Sequence, residues 1–190
     1  MDIKNIHSPA DIKNLSLDEL TDVAGQLRAA LMKKLSVHGG HVGPNLGMVE
    51  ATIALHYVFN APQDKLIFDV SHQTYVHKML TGRIEAFLDP ARYDDVTGFT
   101  NPRESEYDLF EIGHTSTSLA LASGMAKARD LMGGKENVVA IIGDGSLSGG
   151  KAVCGCRHSR GASHRNEFRS CQGWRKTGIR RCKLVHAEDL

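Results

Sequence analysis

The chain has 190 residues, 41% hydrophobic and 24% charged, with a formal net charge of +1; one real hydrophobic core is expected, and the balance is ordinary for a soluble globular protein. No apolar run reaches transmembrane length, no apolar leader opens the sequence, and residues 1–150 contain none of the four cysteines, so a cytoplasmic setting without a membrane partner is expected. The average hides an asymmetry: residues 151–190 carry 10 of the 23 Lys and Arg but 3 of the 22 Asp and Glu, a net of +7 against −6 for residues 1–150.

Ser16 followed three residues later by Glu19 forms a capping box that opens a helix, whose apolar positions Leu17, Leu20, Val23, Leu27 and Leu31 recur at helical spacing. A glycine-rich turn, Val37 to Asn45, comes next, and Met48 to Phe59 reads as a mostly buried helix because it is apolar nearly all round. Lys65 to Val70 is a short strand, followed by Ser71-His72-Gln73 and a helix running to Leu80. Residues 81–113 are turn-rich and polar, which predicts a surface excursion. Thr117 to Met132, rich in Ala, Ser, Gly and Leu, reads as a buried helix whose small residues let it lie close to a sheet. The apolar run Val138 to Ile142 is a buried strand that ends in Gly143-Asp144-Gly145. Strands alternating with helices predict an α/β architecture with a parallel sheet, in which ligands sit beyond the carboxyl ends of the strands.

That last turn carries the strongest chemical signal. An acidic residue between two glycines at a strand end suits a magnesium-bound diphosphate: the glycines let N–H groups approach phosphate oxygens, and the carboxylate is a hard ligand for the cation. Taken alone, Gly-Asp-Gly is more often a plain turn. His41 could be an idle solvent-facing side chain, and His72 and His114 could do no more than cap the helices after them. Thr115 or Ser116 is the expected N-cap of the 117–132 helix, whose N-terminus is also a ready anion site.

Taken together and in order, these pieces are more specific. Gly40-His41 with Leu46-Gly47 and Val49-Glu50, Ala54 to Phe59, Asp69-Val70-Ser71-His72-Gln73 leading to His77 to Arg83, Glu104 to Asp108, Gly113 to Ser118, and Ile142 to Gly145 form one ordered set. Over roughly residues 6–150 it resembles the N-terminal region of the 1-deoxy-D-xylulose-5-phosphate synthase family, thiamine-diphosphate enzymes related to transketolase. The resemblance implies an α/β parallel-sheet domain that binds the diphosphate of thiamine diphosphate, incomplete in this chain. It assigns proton transfer to His41, cofactor contacts to His72, Gly113, His114, Thr115, Ser116, Gly145 and Ser146, and Mg²⁺ ligation to Asp144. It further implies a transferase that joins pyruvate to glyceraldehyde 3-phosphate with loss of CO₂, acting as a homodimer in isoprenoid, thiamine and pyridoxal precursor synthesis. A transketolase-type enzyme with another acceptor is the rival within enzymes. Two departures stand out. Val42 to Asn45 replaces the small-residue turn usual after the histidine, which could alter substrate contacts, and Ser71 stands where glycine is usual, a change expected to be tolerated.

The resemblance stops near Gly149-Gly150. Of the forty residues that follow, five are Ile, Leu, Val or Met, too few for a buried strand and helix. Where the family's metal-binding Asn would fall the tail has Gly173, and Asn166 comes too early. Cys154, Cys156, His158, Cys171 and Cys182 fit no ordinary zinc spacing, and the basic character lacks any nucleic-acid module signature, which disfavours a nucleic-acid partner. A disordered basic extension fits the composition. The favoured reading is a shifted frame, with a small insertion or deletion expected near codons 150–152; an intact frame shared by close relatives would refute it. The chain is expected to be inactive alone.

Overall fold

A computed structural model describes residues 1–147 and 182–186. Its elements are α1 (Leu17–His38), α2 (Val42–Leu46), α3 (Val49–Val58), β1 (Lys65–Phe68), α4 (Tyr75–Lys78), α5 (Glu85–Leu88), α6 (Thr117–Met132), β2 (Val138–Ile142), α7 (Asp144–Leu147) and β3 (Cys182–His186), with single 3₁₀ turns at Ile3–Asn5, Pro9–Ile12 and Pro90–Asp95. Two compact units divide them: Met1–Pro62 with Ser71–Glu111, and Gln63–Val70 with the described residues from Ile112.

The first unit is helical and built on α1. Its capping box forms as the sequence predicts, with Glu19 N–H donating to Ser16 Oγ at 3.3 Å and Ser16 N–H donating to Glu19 Oε2 at 2.8 Å. Val23, Leu27, Leu31 and Leu35 form the buried stripe and pack with Ile6, Ile12, Ile53, Val76, Leu80 and Phe87. Leu17 belongs to the same helical repeat but is 79% exposed, because it lies in the first turn, beyond the end of this core. The glycine-rich stretch is shorter than expected: α1 runs to His38, and Val42 begins another helix.

Residues 81–111 are mostly exposed or half-buried, as their polarity predicts, but the segment is pinned to its unit at a few buried positions. Ile84, Phe87 and Tyr93 are buried. Lys34, 5% exposed, reaches from α1 into this segment, donating to Ala86 O and Tyr93 O at 2.9 Å each with its ammonium 4.3 Å from the Phe87 ring centre. Two carbonyl dipoles and an aromatic face thus replace the water that this cation loses on burial, and burial still pushes its pKa below the usual lysine range. The helix that begins at Tyr75 breaks at Thr81 and Gly82, where Gly82 takes φ +87° and a Cβ would lie 2.9 Å from His7 O.

The second unit holds the sheet, in the order β1-β2-β3 with every pair parallel. The α/β expectation with a parallel sheet holds. All five residues of β2 are buried, as a central parallel strand requires. β1 registers Lys65 with Val138 through Phe68 with Ile141, and Asp64 anchors that start by accepting from Asn137 N–H at 2.6 Å and Asn137 Nδ2 at 2.9 Å. Helix α6 lies on the sheet with Leu119, Ala122 and Ala126 buried, the two alanines being the small residues that the sequence suggests for close approach. β3, in register from Cys182 with Val138 to His186 with Ile142, falls in the segment whose composition predicts no buried strand. Strand pairing is made by backbone groups, so the shortage of aliphatic side chains did not prevent it. Gly149, Gly150, Cys154, Cys156, His158, Asn166, Cys171 and Gly173, and with them the expected frame break, lie outside the described residues. Among the described residues no helix is long and apolar enough to cross a membrane.

Candidate functional site

In the helical unit, His41 leaves α1 through Gly39 (φ +79°) and Gly40 (φ +126°), conformations that favour glycine. A Cβ on Gly40 would sit 2.7 Å from Tyr75 Oη, so the second glycine is also a matter of space. Asn45, fully buried, then fixes the surroundings. Its Nδ2 donates to His41 O at 2.7 Å and His72 O at 2.8 Å, while its Oδ1 accepts from Tyr75 N–H at 2.9 Å. One carboxamide thereby ties together the backbones of two of the three histidines that the sequence singles out.

The imidazole of His41 is half-buried among rings: His72 edge-on at 5.5 Å, Phe99 edge-on at 5.2 Å and Tyr75 tilted at 6.2 Å. Tyr75 Oη lies 3.4 Å from both His41 N and His41 Nδ1. The hydroxyl accepts from the backbone N–H and donates to Nδ1, which in neutral imidazole leaves the proton on Nε2. No described residue partners Nε2. Ser71, at φ +67°, explains why glycine suits this position. The left-handed backbone costs a non-glycine residue about 1–2 kcal/mol. Its side chain offsets part of that by accepting from Thr100 N–H at 3.0 Å.

Behind this pocket lies a buried polar chain that sequence reading missed. Asp108 accepts from His77 Nε2 at 2.9 Å, from Arg83 Nη1 at 2.7 Å and Nη2 at 2.9 Å, and from Asn101 N–H at 2.8 Å. Burial raises its pKa, but the His77 and Arg83 bonds outweigh that and hold it well below the usual carboxylate range. Because ionised Asp108 only accepts, His77 carries its proton on Nε2, and its Nδ1 accepts from His56 Nε2 at 2.9 Å. Glu104 pairs with Lys78 and Arg83, so two acids face two cations; burial pushes the pKa of His56 and His77 down and favours their neutral forms.

In the sheet unit, the N-terminus of α6 differs from expectation. Ser116 is the N-cap but takes a left-handed φ of +67°, and neither its side chain nor that of Thr115 caps the helix. The capping group is Asp69, just past β1, which accepts from Ser116 N–H at 2.9 Å and Ser118 N–H at 3.0 Å. Those two N–H groups are therefore taken by a protein carboxylate and are not free for an outside anion. Ser116 Oγ instead donates to Ser146 O in α7, joining two of the predicted cofactor residues. Gly113, His114 and Thr115 are exposed, with the His114 ring turned back so that Nδ1 donates to Thr115 O at 3.0 Å. Gly143 follows β2, and Asp144, Gly145 and Ser146 begin α7. Among the described residues no three His, Cys, Asp or Glu side chains gather as a metal site.

The family model for 1-deoxy-D-xylulose-5-phosphate synthase matches residues 3–166. The chain belongs to the 1-deoxy-D-xylulose-5-phosphate synthase family. It is 53% identical over 158 residues, 83% of its length, to the 1-deoxy-D-xylulose-5-phosphate synthase of Halalkalibacterium halodurans. The synthases of Macrococcus caseolyticus and Chlorobaculum tepidum are also 53% identical, over 158 and 156 residues. The chain spans about a quarter of the length of these curated relatives.

For this synthase-family chain, sequence reading had a signal for Asn45, which it noted only as part of a departure from the usual turn. Asp69 and Tyr75 had none beyond their proximity to His72, and Phe99 had none at all.

Two outcomes are expected. Replacing Asp69 by Ala removes the acceptor for two N–H groups of α6 and costs about 1–2 kcal/mol, read as a lower urea midpoint with an unchanged slope. The buried histidines make stability pH-dependent in a defined direction. Their folded pKa values lie below the unfolded value, burial being the main cause, so their contribution is complete above about pH 6.5 and falls as acid protonates the unfolded chain first. Urea midpoints should therefore drop between pH 6.5 and 5, and His56→Gln should flatten that drop by up to about 1.4 kcal/mol per pH unit.

Proposed function

We propose that this chain supplies the diphosphate-side part of a thiamine-diphosphate enzyme that condenses pyruvate with glyceraldehyde 3-phosphate. The products are 1-deoxy-D-xylulose 5-phosphate and CO₂, and the role is in isoprenoid, thiamine and pyridoxal precursor synthesis. The observation that carries the reading is His41: an imidazole at fixed orientation, with an Nε2 that no described residue partners, in a chain of this family.

The residues present suit the cofactor. A Cβ built on Gly113, Gly143 or Gly145 meets nothing within 4 Å, so the backbone there can approach a diphosphate, and Asp144 brings a hard oxygen donor suited to Mg²⁺. In this reading Asp144 would hold the metal, Gly145 and Ser146 would meet the diphosphate, Gly113, His114, Thr115 and Ser116 would add contacts from the same unit, and His72 is proposed as a further cofactor contact. Thiamine diphosphate, when bound, supplies the electron sink for decarboxylation.

The chain's own residues do the rest. Tyr75 donates to His41 Nδ1 and so keeps the exchangeable proton on Nε2, where it can be given to and taken back from a substrate oxygen. An imidazole is suited to this because it changes charge near neutral pH. The flanking rings of His72 and Phe99 exclude water from two sides of that nitrogen's ring. The working assembly is proposed to be a cytoplasmic homodimer, as the resemblance to the intact family implies.

Turnover checks this. The 190-residue chain, given thiamine diphosphate, Mg²⁺ and both substrates, should show no activity above a His41→Ala control. A chimera carrying residues 1–147 in place of the matching segment of the Halalkalibacterium synthase should be active, and His41→Ala in it should lower kcat by roughly 10²–10⁴-fold. A chimera whose activity survives that substitution would contradict the role given to His41.

A further inference from the structure

We propose that Glu104 and Asp108 are positioning residues for His41: the two acids, one half-buried and one buried, fasten the ends of residues 97–101 so that Gly98 and Phe99 are held against its imidazole. The inference rests on the reading of His41 as the proton-transfer group.

The fastening is symmetric. Glu104 Oε1 accepts Thr97 N–H at 2.8 Å and the Thr97 hydroxyl at 2.7 Å, fixing the start of the segment. Asp108 Oδ2 accepts Asn101 N–H at 2.8 Å, fixing its end. Thr100 N–H, bonded to Ser71 Oγ, adds a third tether one residue before His72. Between these ties lie the two residues that touch His41. Phe99 places its ring edge-on at 5.2 Å, and Gly98 comes so close that a Cβ would be 3.4 Å from His41 Cε1, 3.5 Å from Nδ1 and 3.5 Å from Tyr75 Oη.

One short helix connects the acids to the other wall of the pocket. Tyr75, which sets the His41 tautomer, is followed in α4 by His77 and Lys78, which bind Asp108 and Glu104. The acids therefore set the spacing between α4 and the 97–101 segment, the two elements that flank the ring. Their charges are matched by Lys78 and Arg83, so the cluster projects little net field and acts on His41 through geometry. Matched charge also explains why acids serve here. An ionised carboxylate can accept backbone N–H groups and cationic donors together, and its charge-assisted bonds are roughly twice as strong as neutral ones.

Histidine NMR on the intact 190-residue chain, without cofactor or substrate, tests this. The His41 Hε1 signal is assigned by its loss in His41→Gln, and Phe99→Leu gives the full shift caused by removing the ring. Glu104→Gln and Asp108→Asn should each move His41 Hε1 in the same direction by at least half as much, with the methyl signals of Leu27 and Leu31 unchanged. Gly98→Ala, which leaves both acids intact and so still reports if Asp108→Asn fails to fold, should also move it. A His41 signal unmoved by Glu104→Gln while Phe99→Leu shifts it would overturn the positioning role. A signal unmoved by both Phe99→Leu and Gly98→Ala would overturn the contact itself. Because no turnover is measured, shifts as expected alongside a chimera whose activity survives His41→Ala would refute only the role given to His41.

Discussion

The carboxamide of Asn45 is the constraint on which the histidine pocket depends. Three hydrogen bonds from one fully buried side chain join His41, His72 and Tyr75, residues up to 34 positions apart in the chain. Only one orientation of the amide satisfies all three, because two partners are carbonyls and the third is an N–H. Leaving any of these groups unmade inside the protein would cost about 1–3 kcal/mol, so the arrangement resists small displacements. Catalytic use of an imidazole needs such fixity, since proton transfer depends on distance and angle.

A second theme is that this chain spends carboxylates on its own backbone. Asp69 caps α6, Asp64 anchors β2, and Glu104 and Asp108 hold the 97–101 segment. Each acid lies outside the helix or segment whose N–H groups it accepts, so each bond fixes the relative position of two pieces within its unit. The strained residues sit where such pieces meet. Ser71 and Ser116 both take left-handed φ values; Ser71 directly precedes His72, and Ser116 lies two residues after His114. Strain of this kind persists only where surrounding bonds over-determine the backbone, and the Ser71–Thr100 and Asp69–Ser116 bonds supply that here.

Much of the fold was legible because it is written in local patterns. The capping box at Ser16, the apolar repeat of α1, the small-residue face of α6 and the apolar run of β2 all appear where their spacing indicates. In residues 81–111 polarity marks exposure only in part: Asp108 is hydrophilic by type yet buried by pairing with His77 and Arg83, and Lys34 of α1 is buried against this segment. The N-cap of α6 misled for a related reason. Hydroxyls at Thr115 and Ser116 are good local caps, but Asp69, 47 residues away from Ser116, occupies the same donors. In the pocket, His41 and His72 could be found from sequence as types and motifs. Asn45, Tyr75 and Phe99, which give His41 its orientation and tautomer, depend on long-range contacts that no spacing rule encodes.

The most direct test of the account is amide hydrogen exchange at Tyr75, whose N–H donates to Asn45 Oδ1. If the carboxamide holds the histidine pair as described, this amide exchanges as slowly as those in the buried middle of α1 around Leu31, and opens only with the whole unit. Exchange at the rate of an unprotected amide, with α1 still protected, would show that the carboxamide knot does not persist in solution and would remove the basis for an oriented His41.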